Sequence, residues 1–105
     1  MEIQNPLPEI VANITAKHTG VSVEEMRGKS KAHRIVVARL IYAAVCRKIV
    51  HPQYYIPYYI CKDGATLQYW YDTHSNLYET DIAFALLSDK VQNEFNDKLK
   101  SLKDA

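Results

Sequence analysis

The stretch Gly20-Val21-Ser22-Val23-Glu24-Glu25-Met26 constrains the fold more than any other part of this chain. Ser22 is a residue type that caps a helix start, and Glu25, three positions on, can return a hydrogen bond to the capping backbone. Val21 and Met26 have the spacing of the apolar clasp that spans such a start. Gly28 then supplies a stop. A start signal this complete, closed within a few residues, predicts a short helix between tight turns and leaves little room for strand. Upstream, Leu7, Ile10, Val11 and Ile14 keep helical spacing, Pro8 suits a first turn, and Gly20 suits the position just past a helix end.

Downstream, Lys29 and Ser30 open a basic loop. Beyond it, Ile35, Val36, Leu40, Ile41, Ala44 and Val45 mark a long buried helix, predicted to end near Val50 because Pro52 cannot sit in a helix interior. The segment from His51 to Ile60 holds Tyr54, Tyr55, Tyr58 and Tyr59 around Pro57. Proline there breaks a long helix and a central strand alike, so a short helical turn is expected on either side. Asp63 is placed to cap a helix starting at Gly64 and running through Trp70 to about His74. A last helix is predicted from near Asp81, with Leu87, Val91, Phe95, Leu99 and Leu102 along one stripe and Glu94 spaced to pair with Lys98. No repeat or linker interrupts residues 1–105, so the expectation is one all-α domain of about six helices.

Size and composition narrow the function classes. The chain has 105 residues, 48% hydrophobic and 24% charged, which suits one globular domain and not a disordered chain. Arg39 interrupts the longest apolar run, Ile35 to Val45, so no membrane span is expected. Met1 is followed by Glu2, Pro6 and Pro8 with no basic-then-apolar leader, which points to the cytoplasm. Cys46 and Cys61 form neither a disulfide framework nor a zinc pattern. They share no ligand-positioning spacing with His51 or His74, so neither a metal site nor a nucleophile is expected. Gly20, Gly28 and Gly64 are the three glycines of the chain, too few and too scattered for a phosphate-cradling loop. Asp72, Glu79 and Asp81 read as a solvated acidic face. Nothing here predicts an enzyme, a cofactor or a small-molecule substrate.

Charge is unevenly distributed behind a net +1. Residues 1–62 carry nine Lys or Arg against four Glu, whereas residues 63–105 carry four Lys against eight Asp or Glu. Arg27, Lys29, Lys31, Arg34, Arg39, Arg47 and Lys48 follow one another with no acidic residue between them, which is either an electrostatic footprint for phosphate or a solvated helix face. Arg47 and Lys48, at the far end of the long helix, suit its C-terminal carbonyls better. Tyr54, Tyr55, Tyr58 and Tyr59 either pack inward with their hydroxyls at the core edge or form an aromatic surface that stacks bases or anchors a protein.

With Lys29-Ser30-Lys31 and Val36-Val37-Ala38-Arg39 placed after Gly20 to Met26, the chain resembles the C-terminal DNA-binding domain of the bacterial replication initiator DnaA over about residues 7–102. The resemblance implies an initiator-like helix-turn-helix: a short helix, a basic loop, a long buried helix, a turn and a recognition helix. The family opens that recognition helix with Gly-Arg-Asp-His-Thr-Thr-Val; here the place holds Cys61-Lys62-Asp63-Gly64-Ala65-Thr66-Leu67. The DNA-binding residues it implies are Lys29, Lys31, Arg34, Arg39, Lys62, Asp63, Thr66 and Tyr69.

The departures fall where the family reads bases. Gly64 and Ala65 stand for a His and a Thr or Ser, Tyr69 for a second His, Trp70 for a packing Ala, and Val37 for the arginine that enters the minor groove. Arg39 matches the second arginine of that pair and suits a DNA contact or a structural role equally. Base contacts of this kind are each worth roughly 1–3 kcal/mol of discrimination, so the initiator's own site should no longer be distinguished. The expectation is a small stand-alone protein that binds double-stranded DNA mainly through phosphates, with a replication or regulatory protein as a further partner. No ATPase region precedes the domain in these residues, so origin melting by this chain alone is not expected. The alternative is a protein-interaction module that kept the scaffold and docks a partner on the tyrosine segment.

Overall fold

A computed structural model describes residues 7–47, 60 and 64–103, and these are all-α. Five helices follow in order among the described residues: α1 Leu7–Thr19, α2 Val23–Arg27, α3 His33–Arg47, α4 Gly64–Thr80 and α5 Ile82–Lys103. The tyrosine segment with Pro57, the expected end of α3 near Val50, the Asp63 cap, and the side chains of Lys62, His51 and Cys61 lie outside the described residues.

The local signals at the front of the chain act as their chemistry demands. α1 starts with Pro8 buried in its first turn and ends at Gly20, whose φ of +74° is the left-handed value that glycine adopts freely. The Gly20 N–H donates to the Ala16 carbonyl at 2.9 Å, closing the last turn. At α2 the Glu25 N–H donates to Ser22 Oγ and the Ser22 N–H donates to Glu25 Oε1, each at 3.0 Å. Val21 and Met26 are both buried, as the apolar clasp requires. Gly28 ends α2 with φ −78°, however, so it is not a left-handed cap.

α3 is the central element and touches each of the other four helices. Ile35, Ala38, Leu40, Ile41, Tyr42, Ala43, Val45 and Cys46 are buried, so its apolar surface runs nearly all the way round, as expected of an enclosed helix. Val36 and Ala44 are half-buried. α1 and α5 pack on one side and α4 on another, giving one apolar core that includes Val11, Ile14, Met26, Ile41, Phe84, Val91 and Phe95.

The second half departs from expectation in three places. α4 continues to Thr80, six residues past His74. Ser75 and Asn76, whose residue types favour turns, are exposed and do not break it, while Leu77 packs against the core. Asp81 alone separates α4 from α5. Its N–H donates to the Leu77 carbonyl at 2.8 Å, and its Oδ1 accepts from the Phe84 N–H at 3.1 Å, so one residue closes the first helix and caps the second. Leu102 lies beyond the core's edge and is exposed, unlike Val91 and Phe95 on the same stripe. Glu94 turns to α1, where its Oε1 accepts from Lys17 Nζ at 2.9 Å and meets His18 Nε2 at 2.8 Å, in place of the predicted Lys98. Glu94 faces the α1–α5 seam, which explains the exchange. No described helix is long and apolar enough to cross a membrane.

Candidate nucleic-acid interface

The basic loop owes its shape to Arg39. This residue is only 8% exposed, and its guanidinium lies beneath the loop. Nε donates to the Met26 carbonyl at 2.9 Å, Nη1 to the Ser30 carbonyl, and Nη2 to the carbonyls of Gly28 at 2.8 Å and Glu25 at 3.3 Å. Two of these carbonyls belong to α2, and the extended backbone at Gly28 carries the chain from that helix into the loop. Of the two roles open to Arg39, this geometry serves the structural one: the residue is buried, and four of its hydrogen bonds go to backbone carbonyls at the end of α2 and in the loop. A planar fork of fixed donors suits this work; a lysine could reach one or two of the four acceptors.

Above that support, Lys29 and Lys31 are exposed. Ser30 Oγ accepts from the Ala32 N–H at 3.2 Å, and the Ala32 carbonyl accepts from the N–H groups of Ile35 and Val36, so the loop passes directly into α3. The first turn of α3 contains no acidic residue; it carries His33 and Arg34, both exposed. Cations there oppose the helix dipole and favour an incoming anion. Arg34, 59% exposed at its side chain, pairs with Glu25 Oε2. That guanidinium, aided by the Ser22 N–H on the other oxygen, holds the Glu25 carboxyl below the usual glutamate range.

Lys29, Lys31 and Arg34 are thus brought together at the α2–α3 junction. Thr66 and Tyr69 stand apart on α4, Thr66 half-buried and Tyr69 65% exposed. α4 meets the opposite end of α3, where the Arg47 guanidinium lies 4.6 Å from the centroid of the Tyr71 ring. Arg47 therefore stacks on an aromatic face in addition to standing at the helix C-terminus. Along α3 that end is about 20 Å from His33 at 1.5 Å rise per residue.

The remaining candidates for chemistry among the described residues, His74 and Cys46, are used in packing. His74 Nε2 lies 2.8 Å from Ser88 Oγ, and its ring stacks on Tyr78 and meets Phe84 edge-on, tying α4 to α5. Cys46 is buried, and burial pushes its thiol far above the ordinary range. No group of three or more potential ligands is gathered for a metal ion among the described residues.

Two features escaped sequence reasoning. Glu25 was legible as half of a capping box, but its second oxygen serves Arg34 across a helix and a loop, a distance no periodicity rule spans. Ile82 and Leu86, one turn apart on α5 and 78% and 59% exposed, form an apolar pair at the α4–α5 corner. The i, i+4 spacing was visible, but which face of α5 meets the core was set by packing against α1 and α4. No protein-family model, curated protein or solved structure matches this chain.

Proposed function

We propose that this chain is a small DNA-binding protein of the cytoplasm that grips the phosphates of double-stranded DNA through the loop between α2 and α3. The observation that carries the reading is the pair of exposed lysines, Lys29 and Lys31, on a loop that Arg39 ties to the end of α2 by four hydrogen bonds, two to each. Cations on a pre-shaped backbone bind a phosphate without first having to be ordered. Arg34 adds a third contact at the start of α3. In the initiator-like arrangement that the sequence resembles, α4 is the helix that lies in or over the major groove, with Thr66 and Tyr69 as the remaining side chains able to touch bases. Lys62 and Asp63 would stand just before it. A role in replication or its regulation, with a protein partner, follows from the same resemblance.

The test is a mobility shift with random and initiator-site duplexes at several salt concentrations. With Arg39 turned inward, about three to four phosphate contacts remain, for a log–log salt slope of about −3 to −4 and little preference between duplexes. Charge reversal at Lys29 and Lys31 weakens binding to every sequence alike, while Thr66→Ala changes little. Absence of binding at low salt refutes the proposal. A protein-docking role is favoured by a separate observation, the exposed Ile82 and Leu86; if it is the true one, Ile82→Asn with Leu86→Asn abolishes partner capture and leaves the mobility shift untouched.

A further inference from the structure

We propose that Glu25 occupies Arg34 in the place of a DNA phosphate in the free protein, so that duplex binding is an exchange in which Arg34 leaves Glu25 for the nucleic-acid backbone. This rests on the DNA-binding reading above and adds an internal competitor to it.

The two oxygens of Glu25 have separate tasks. Oε1 accepts from the Ser22 N–H at 3.0 Å and belongs to the cap of α2. Oε2 faces away from that cap and accepts from Arg34 Nη2. A guanidinium fork takes a carboxylate or a phosphate with the same donors, so whatever holds Arg34 in the free protein competes directly with DNA for it. The pair is open to solvent, with 59% of the Arg34 side chain and 35% of Glu25 exposed, and an ion pair of that kind exchanges readily and binds weakly. The first turn of α3 has no acidic residue of its own, which leaves Glu25 of α2 as the carboxylate that answers it. Lys29 and Lys31 have no ion pair among the described residues, so they and Arg34 are not equivalent: the two lysines are ready and the arginine is held. Arg34 therefore contributes to affinity only after paying back Glu25, and the loop's affinity is set lower than its charge alone would give.

Glu25→Gln isolates the exchange, because glutamine keeps the oxygen that accepts from the Ser22 N–H and the capping box survives. Fluorescence anisotropy with a random duplex is expected to show Glu25→Gln binding about three- to five-fold tighter than the parent, with a log–log salt slope steeper by up to about one. Glu24→Gln makes the same charge change at the neighbouring exposed residue and is expected to have a much smaller effect. In an Arg34→Gln background, which itself binds less tightly, Glu25→Gln is expected to gain nothing. Equal gains from Glu24→Gln and Glu25→Gln would reduce the effect to net charge and overturn the exchange. So would a parent that binds duplex and is indifferent to Arg34→Gln, although phosphate binding by the lysines would then stand. Failure of both the parent and Glu25→Gln to bind at low salt removes this inference together with the reading beneath it. Matched thermal transitions of parent and Glu25→Gln confirm that the fold is not the variable.

Discussion

Replacing Arg39 with methionine tests whether a buried cation, and not the chain's own stiffness, shapes the basic loop. Methionine keeps most of the aliphatic stem, so little packing is lost and the change falls on the hydrogen bonds. The bond to the Met26 carbonyl is buried, while those to Glu25, Gly28 and Ser30 are partly exposed. An orphaned buried carbonyl costs about 1–3 kcal/mol, and partly exposed carbonyls recover much of their loss from water, adding roughly 1 kcal/mol together. Removing a desolvated guanidinium returns some of this, so the net loss falls at about 2–3 kcal/mol. For a domain near 100 residues that is a fall in melting temperature on the order of 10–20 °C. Urea unfolding followed by far-UV circular dichroism measures the loss, and amide exchange localises it. Exchange should quicken at residues 28–32 before α5 is affected. A loss below about 1 kcal/mol, or exchange that quickens evenly along the chain, would refute the view that Arg39 holds the loop.

Other perturbations have equally definite outcomes. Ile41 is fully buried in the central helix, so Ile41→Ala should cost about 2–5 kcal/mol in urea unfolding as lost transfer energy plus cavity. Gly20→Ala should cost roughly 1–2 kcal/mol from backbone strain alone, because φ is +74° and an added Cβ meets nothing within 4 Å; Gly20→Asn should cost less. The Glu94 carboxyl is held below its usual range by Lys17 first and His18 second, so its stabilising effect is present above the unfolded value of 4.5 and is lost as pH falls through the lower folded value. Urea midpoints measured down into that acid range should therefore fall less steeply for Glu94→Gln than for the parent.

What could be read from the sequence was what the chain decides locally. The Ser22–Glu25 box, the Val21–Met26 clasp and the Gly20 stop all depend on residues within a turn of one another, and each formed where its residues stand. The enclosure of α3 was legible because its apolar residues outnumber what one face can hold. The end of α4 was not, since Ser75 and Asn76 favour turns by type and yield only because Leu77 packs against a core built by other elements. Glu94 had a cation at the right helical spacing in Lys98, yet Lys17 and His18 approach from seventy-seven and seventy-six residues away. Arg39 shows the same limit at the candidate site: a surface phosphate ligand and a buried loop clamp have the same residue type, and the carbonyls that decide between them appear only once α2 and α3 are packed.

The single-residue connection at Asp81 leaves the chain no slack between α4 and α5, the two longest of the described helices. One residue added within the last turns of α4 advances everything after it by about 100° around the helix axis, and no flexible linker follows to take up the rotation. Phe84, Val91 and Phe95 would then present themselves beside the core instead of to it, and Asp81 would no longer meet the Phe84 N–H. The α2–α3 loop, by contrast, is exposed, and an added residue at Lys31, beyond the Gly28 and Ser30 carbonyls that Arg39 holds, meets no packed neighbour. Tolerance to insertion is thus divided along the chain: the tip of the α2–α3 loop can take an added residue, whereas the α4–α5 corner works as a welded joint whose angle is fixed by counting residues.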